Sequence, residues 1–483
     1  MSSAFRILNQ CFLLSSLCLL LITTQLAYGW SFLDPNMKPL GGGDQSRRTF
    51  LDTVTSTTTN AVAASSLGVS TAMLTNGENN VGLAQAAAEE MPSIINDSAQ
   101  ATYTTKPLAG RFYFPALTPP FRNRATFKYD LGRNAWALEQ LLTFANVTAT
   151  IRCTVIQLET TGGLWVHSPQ WPTGEFCALL DEIGAPMEHV VLPCNAFEHK
   201  APMKAFAENY PNAKVWISPG QFGPLGTCGK SLSKDSCQMG YRVDGILGLD
   251  NPLPPWSNEF DMATLYLEIP KNAGPVSEVS FFHRPTKTLV ATDSVIYVPK
   301  RKFPPDIFST YFDRETIEQD PTFWPRTVLQ AIFLPLRQDD HGNYPSYEAI
   351  SDRLIRAPIL RALVDARAPN QVREWIAQQT KPSWDFDRIL TSHFESPISA
   401  GPTEYKAAFG YLDDQEYNKV ERVGQTTTTT TNNNSDKGKV NANLPAIQCQ
   451  DWELLDSINQ VVAKSNAGAP ATFDFQRGCI SSE

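Results

Sequence analysis

The residues best suited to chemistry gather in one turn, Pro193-Cys194-Asn195-Ala196-Phe197-Glu198-His199. A thiol, a carboxylate and an imidazole are metal-ligand and acid/base types. His189–Leu192 before the turn is short and β-branched and reads as a strand, Lys200–Asn209 after it has helical spacing, and Lys214–Ile217 reads as a second strand. The turn therefore sits at the C-terminal end of a strand, where open α/β sheets keep their chemistry. Plainer readings stand beside this one. Glu198 and His199 open a helix, where an acid complements the dipole, and Cys194 fits a small buried residue.

Elements on both sides must hold that turn. Thr148–Leu158 alternates as a strand, Thr161-Gly162-Gly163 turns the chain, and Leu164–Val166 runs on until His167-Ser168-Pro169 ends it. Glu175–Ile183 reads as a helix stopped by Gly184-Ala185-Pro186. Beyond the central unit, Gln221–Leu253 is a loop-rich insert whose Cys228 and Cys237 can pair in an oxidising compartment. Phe260–Ile269 is a strand, and Val276–Phe282 with Thr288–Thr292 makes a hairpin, after which comes Asp293. Helical spacing follows over Phe323–Leu336, Tyr347–Ala366 and Gln371–Gln378. Asp385–Leu390 returns to a strand with His393 just beyond it, and Thr403–Leu412 closes as a helix. Alternation of this kind belongs to the α/β class.

The 483 residues supply one large or two ordinary domains, and a 42% hydrophobic fraction suits a folded chain. A net charge of -9 without a sustained Lys/Arg run argues against a nucleic-acid partner. Outside a leader holding Cys11 and Cys18, the cysteines are Cys153, Cys177, Cys194, Cys228, Cys237, Cys449 and Cys479, an odd set with no CxxC pair.

Residues 1–29 read as a signal peptide: Arg6, an apolar Phe12–Leu21 too short for a membrane span, and small residues at Ala27 and Gly29. Residues 30–86 begin at Trp30, are rich in Ser and Thr, and hold Ser46-Arg47-Arg48-Thr49-Phe50-Leu51, an apolar Ala61–Leu74 and Ala84-Gln85-Ala86. This order resembles the address of a thylakoid-lumen protein in an alga with a secondary plastid, with a twin-arginine signal and an A-x-A site. Secretion is the alternative, and sequons at Asn96, Asn146 and Asn433 suit it. The mature chain is expected near Ala87, with no stable membrane span. An extended, aromatic-rich arm is expected over 87–147, a low-complexity linker over 414–443, and a tail over 444–483 with a helix at Trp452–Ala463.

Gly162–Pro169 (GGLWVHSP), the Pro193–His199 turn, Tyr210–Lys214 (YPNAK) and Ala291–Ser294 resemble an uncharacterised domain-of-unknown-function family of metallo-β-lactamase-like proteins. That family is ribonuclease Z- and hydroxyacylglutathione hydrolase-like and occurs in bacteria and plastid-bearing eukaryotes. The resemblance spans about Leu108 to Asp413. It implies an αββα sandwich over 148–413 with helical additions. Against the superfamily motif H-x-H-x-D-H this chain offers Cys194, Ala196, Glu198 and His199, and no histidine stands before the hairpin between Phe260 and Phe282. Asp293 falls at the metal-bridging aspartate and His393 at the last metal-binding histidine.

Two tightly held ions are therefore not expected. One divalent metal, zinc or iron, is feasible on His199, Asp293 and His393, with Cys194 and Glu198 as a further ligand or as catalytic groups. The chain is then a single-metal hydrolase of a small ester, thioester or phosphoester. The alternative is a degenerate, metal-free module that binds a ligand or a protein, in which Phe197 or Phe282 fills the cleft. Asp293 can equally cap backbone amides. His283 is expected to be structural or exposed, His341 to lie in a loop, His189 to pack in the core, and His167 to close a strand facing the same edge.

Overall fold

A computed structural model describes residues 117–118, 125–144, 147–222, 226–233, 237–268, 275–300, 306–310, 312–412 and 447–462. The expected signal peptide, targeting segment and linker lie outside the described residues. The first sheet holds β1 (Leu117–Thr118), β2 (Phe127–Gly132), β3 (Ala135–Phe144), β4 (Val147–Gln157), β5 (Leu164–His167), β6 (Met187–Leu192) and β7 (Lys214–Ile217). A small pair, β8 (Thr227–Cys228) and β9 (Cys237–Gln238), follows, and β10 (Gly245–Ile246) completes the sheet. Its order is β1-β3-β4-β5-β6-β7-β10, with β2 beside β1 on the same edge of β3. The β2-to-β5 pairings are antiparallel, whereas β5-β6-β7-β10 run parallel. The second sheet runs β11 (Phe260–Leu267), β12 (Val276–His283) and β13 (Thr288–Val290), with β14 (Ile296–Tyr297) and β15 (Leu354–Ile355) as a separate pair before β16 (Arg388–Leu390) joins parallel to β13.

Alternation along the strands makes the layers. In sheet one, Val155, Leu164, Val166, Val190, Leu192 and Val215 share a core with Phe176 and Leu180 of the helix Gly174–Asp181 and with Met203 and Phe206 of the helix Met203–Asn209. Their strand neighbours Ile156, Trp165 and Val191 face the other way, into a core with Val279, Phe281, Val290 and Leu390 of sheet two. The far face of sheet two, including Leu265, Phe282, Leu289 and Ile389, packs on Val372, Trp375 and Ile376 of the helix Pro369–Gln379. A period of two in buried strands on both faces gives helix, sheet, sheet, helix. The chain is an αββα sandwich. A further core gathers the additions: Trp324 and Val328, Tyr347 and Ile350, and Trp452 and Leu455 of the helix Cys449–Val462.

Several sequence expectations are corrected. The arm expected over 87–147 contains β2 and β3, which pair with each other and with β4; β3 is rich in Ala, Leu, Glu and Gln, so its strand state is set by pairing rather than by propensity. The helix expected at Tyr347–Ala366 is broken into Pro345–Ile350, β15, Pro358–Leu360 and a π-turn at Arg361–Asp365. Pro358 holds Ala357 extended, at φ -56 and ψ 130, and removes a helical donor. The helix expected at Lys200–Asn209 is instead two, Phe197–Lys200 and Met203–Asn209, with Ala201 and Pro202 between them still in helical conformation. Cys228 and Cys237 form a disulfide. Cys449 is also disulfide-bonded, while Cys479 lies outside the described residues. Among the described residues no helix is long and apolar enough to cross a membrane.

Candidate metal centre

The turn after β6 is held by both sheets. β13 pairs only with Phe281–His283 of β12, leaving the start of β12 with a free edge. The turn takes that edge: Val279 N–H donates to Pro193 O (2.8 Å), Asn195 N–H to Ser277 O (3.2 Å), and Cys194 bridges Glu278. On the other side Gln221 Nε2 donates to Cys194 O (2.9 Å). The short helix Phe197–Lys200 then turns His199 inward, fully buried, and leaves Glu198 partly exposed.

Asp293 and His393 arrive from the ends of the neighbouring strands β13 and β16. The His393 loop is tied to β4. Arg152 donates through its guanidinium to Thr391 O (2.7 Å) and Phe394 O (2.6 Å), and through its backbone N–H to Ser392 O (2.8 Å). Glu139 accepts from the same guanidinium (3.2 Å). His393 Nδ1 lies 2.7 Å from Thr150 O, and its Nε2 lies 3.3 Å from Asp293 Oδ1. His199 Nδ1 lies 2.5 Å from Ser168 Oγ, and its Nε2 lies 3.6 Å from Asp293 Oδ2. The Asp293 and His393 side chains are 20% and 15% exposed, so the cluster opens to solvent on one side.

All five residues singled out in the sequence come together here. The donor atoms of Cys194, His199 and Asp293 lie within 4.8 Å of one another, as do those of Glu198, His199 and His393. His167 belongs to neither group: it packs edge-on to Phe281, and burial, then the charge of His199, lowers its pKa to about 3. His283 is buried between Thr286 and Glu259, His189 meets Trp216 Nε1 at 3.4 Å, and His341 is exposed in a loop. Asp293 does not cap the amides after its strand. Glu278 does, accepting from the N–H groups of Asp293 (3.0 Å) and Ser294 (2.8 Å).

The electrostatics follow from burial set against neighbours. Burial works to raise the Asp293 pKa, but the adjoining His199 and His393 outweigh it and hold the carboxylate well below its usual range. Burial works against charge on His393 too, yet Asp293, Glu198 and the Thr150 carbonyl raise its pKa. Burial and then the carboxylates of Asp293, Glu278 and Glu198 push the Cys194 thiol far up. As it stands, Cys194 keeps its proton, which argues against an activated nucleophile. Phe282 packs against Trp384 on the helix side of sheet two, and Phe197 joins Trp171, Ala201 and Ala205. The filling expected of a degenerate cleft is therefore not made by Phe282.

Ser168, Arg152, Glu278 and Arg356 are site-supporting residues that sequence reasoning missed. Ser168 follows a recognisable strand end, and Glu278 is the one acid within the buried strand Val276–His283, so both carried a signal. Arg152 and Arg356 carried none.

A family model described as Domain of unknown function (DUF4336) matches residues 133–335 and 333–411, more than half of the chain. The chain belongs to the DUF4336 family. Its matched span covers every residue of the cluster, from Thr150 to His393. No curated protein matches the chain. Among solved structures, the DUF4336 chain is similar to metallo-β-lactamase fold proteins. A metallo-β-lactamase from Hirschia baltica is 10% identical, with 59% of this chain and 97% of that chain covered at a TM-score of 0.32. One from Pseudomonas aeruginosa in a mono-zinc form is 9% identical, with 60% and 96% covered at 0.30. A metal-soaked flavodiiron core from Synechocystis sp. PCC6803 is 10% identical, with 60% and 61% covered at 0.33.

Proposed function

We propose that this DUF4336 protein is a hydrolase that uses one divalent ion, zinc or iron, on a small ester, thioester or phosphoester. One observation carries the reading: two imidazoles turn Nε2 toward the two oxygens of one carboxylate. A carbonyl only accepts, so His393 Nδ1, 2.7 Å from Thr150 O, carries a proton, and Nε2 faces Asp293 as a second N–H or, once that proton is given up, as a free lone pair. His199 Nδ1 is engaged by Ser168, and its buried Nε2 has no hydrogen-bond partner. Once both Nε2 atoms are unprotonated, they and the carboxylate at 3.3 and 3.6 Å face one another as donors to a single cation, a place that a shared proton takes in the metal-free chain. Metal-binding histidines are oriented in this way, through a bond from the second ring nitrogen. The two compact donor groups that share His199, Cys194–His199–Asp293 and Glu198–His199–His393, fit a divalent ion.

His199, Asp293 and His393 are the ligands in this reading. Cys194 is close enough to join them, and would give up its proton to do so. A bound divalent ion supplies a Lewis acid for the substrate's carbonyl or phosphoryl oxygen. Glu198, partly exposed beside both histidines, takes the proton of the attacking water. The partner is a small-molecule substrate rather than nucleic acid. We further propose the thylakoid lumen as its location, on residues 1–86; the disulfides suit an oxidising compartment.

Purified chain supplied with zinc or iron should hydrolyse members of a panel of nitrophenyl esters, thioesters and phosphoesters, and a chelator should abolish the rate. Glu198→Gln should keep the metal and lower kcat by roughly 10²–10⁴-fold, the usual worth of a general base. Hydrolysis indifferent to both chelator and Glu198→Gln would refute the assignment.

A further inference from the structure

The turn carrying Asp293 is gripped from both sides by residues outside the ligand set. Glu278 Oε1, on β12, accepts both of its amides, from Asp293 (3.0 Å) and Ser294 (2.8 Å). Arg356 Nη1 donates to both of its carbonyls, Asp293 O and Ser294 O, each at 3.2 Å. The same nitrogen lies 3.9 Å from Glu278 Oε2, so the two jaws of the clamp attract one another. Arg356 is itself fixed: Nε and Nη2 meet Asp365 Oδ2 and Oδ1 at 3.1 and 3.0 Å, and Tyr411 donates to the same carboxylate. Glu278, Arg356 and Asp365 are all buried, where such charge-assisted bonds are strong and the geometry is rigid.

From this geometry we infer that Glu278 and Arg356 are positioning residues that fix the Asp293 carboxylate against His199 and His393. They touch neither imidazole in any bond described above. Their action runs through the backbone of the turn, which sets where the Asp293 side chain begins. The clamp also gives the helical additions a part in the site, since Arg356 follows β15 and its anchors are Asp365 of the π-turn and Tyr411 near the end of the domain. The inference rests on His199, Asp293 and His393 being metal ligands only for its effect on metal affinity; the hold on the turn stands apart from it.

The test uses the full chain, zinc titration against a chromogenic chelator, and deuterium exchange over the peptide holding Asp293 and Ser294. Glu278→Leu should weaken zinc by roughly 10–100-fold, the usual range for an outer-shell partner, and speed exchange at those amides. Glu278→Gln keeps an oxygen for both amides and should recover most of the affinity, which a purely charge-balancing role would not predict. Arg356→Lys keeps the charge near Glu278 and Asp365 but cannot fork to two carbonyls while gripping Asp365. It should cost about tenfold, and it decides the matter where Glu278→Leu does not fold. Folded variants with wild-type zinc affinity and unchanged exchange would overturn the clamp. A wild-type chain that binds no zinc would instead contradict the proposed metal function, and the exchange comparison would still decide the clamp.

Discussion

Removing the Ser168 hydroxyl separates ring orientation from backbone strain. Ser168 Oγ and His199 Nδ1 are 2.5 Å apart, and both residues are fully buried. Ser168→Ala leaves the imidazole nitrogen without a partner where water cannot replace the lost bond, a cost of about 1–3 kcal/mol. Ser168 also has φ +52, a left-handed conformation that costs a residue with a Cβ roughly 1–2 kcal/mol and that glycine adopts freely. Ser168→Gly loses the same hydroxyl but regains much of the backbone term, so it should be the more stable variant. Metal affinity should not follow that order. Neither variant can hold the His199 ring, so both should lose roughly 10–100-fold. Urea unfolding gives the stabilities, and zinc titration against a chromogenic chelator gives the affinities. Wild-type affinity in either variant, or affinity that tracks stability, would refute the claim that Ser168 acts by orienting His199.

Two further outcomes bear on buried groups, one at the opposite end of the strands from the site and one within it. Glu259 is buried; burial works against its charge, but bonds from Thr160, the Glu159 N–H (2.9 Å) and His283 (3.3 Å) win and lower its pKa. A depressed folded pKa gives stability that is present above the unfolded carboxyl range and lost as pH falls through the folded value. Wild type should therefore exceed Glu259→Gln by about 1.5–3 kcal/mol at pH 7, with the gap shrinking below about pH 4 in urea titrations; a gap that widens on acidification would contradict this. The Cys194 thiol, held protonated by burial and carboxylates, should be alkylated by iodoacetamide at pH 8 at least about tenfold more slowly in the folded chain than after unfolding. Equal rates by mass spectrometry would show an exposed or activated thiol.

Strand order was legible because turns and alternation mark it: Gly162-Gly163 before β5, and apolar residues alternating along β4 and β11. β3 was not legible as sheet, because its strand state comes from ten register pairs with β4 rather than from its own residues. The Tyr347–Ala366 spacing was apolar enough for one helix, yet Pro358 and the left-handed Asp352 divide it. At the site, residue type and a strand end marked Cys194, Glu198 and His199, and the family resemblance added Asp293 and His393. What holds them was hidden, because Arg152 reaches the His393 loop across more than 200 residues and Arg356 reaches the Asp293 turn from the helical additions. Such contacts exist only once both sheets have met.

The most direct measurement is the metal content of the purified full chain, by mass spectrometry of its elements, beside His199→Ala. The metal-centre reading predicts one equivalent of zinc or iron in the wild-type chain and its loss in a still-folded His199→Ala. Wild-type protein with no stoichiometric metal after both ions have been supplied, or His199→Ala that keeps its full complement, would contradict it.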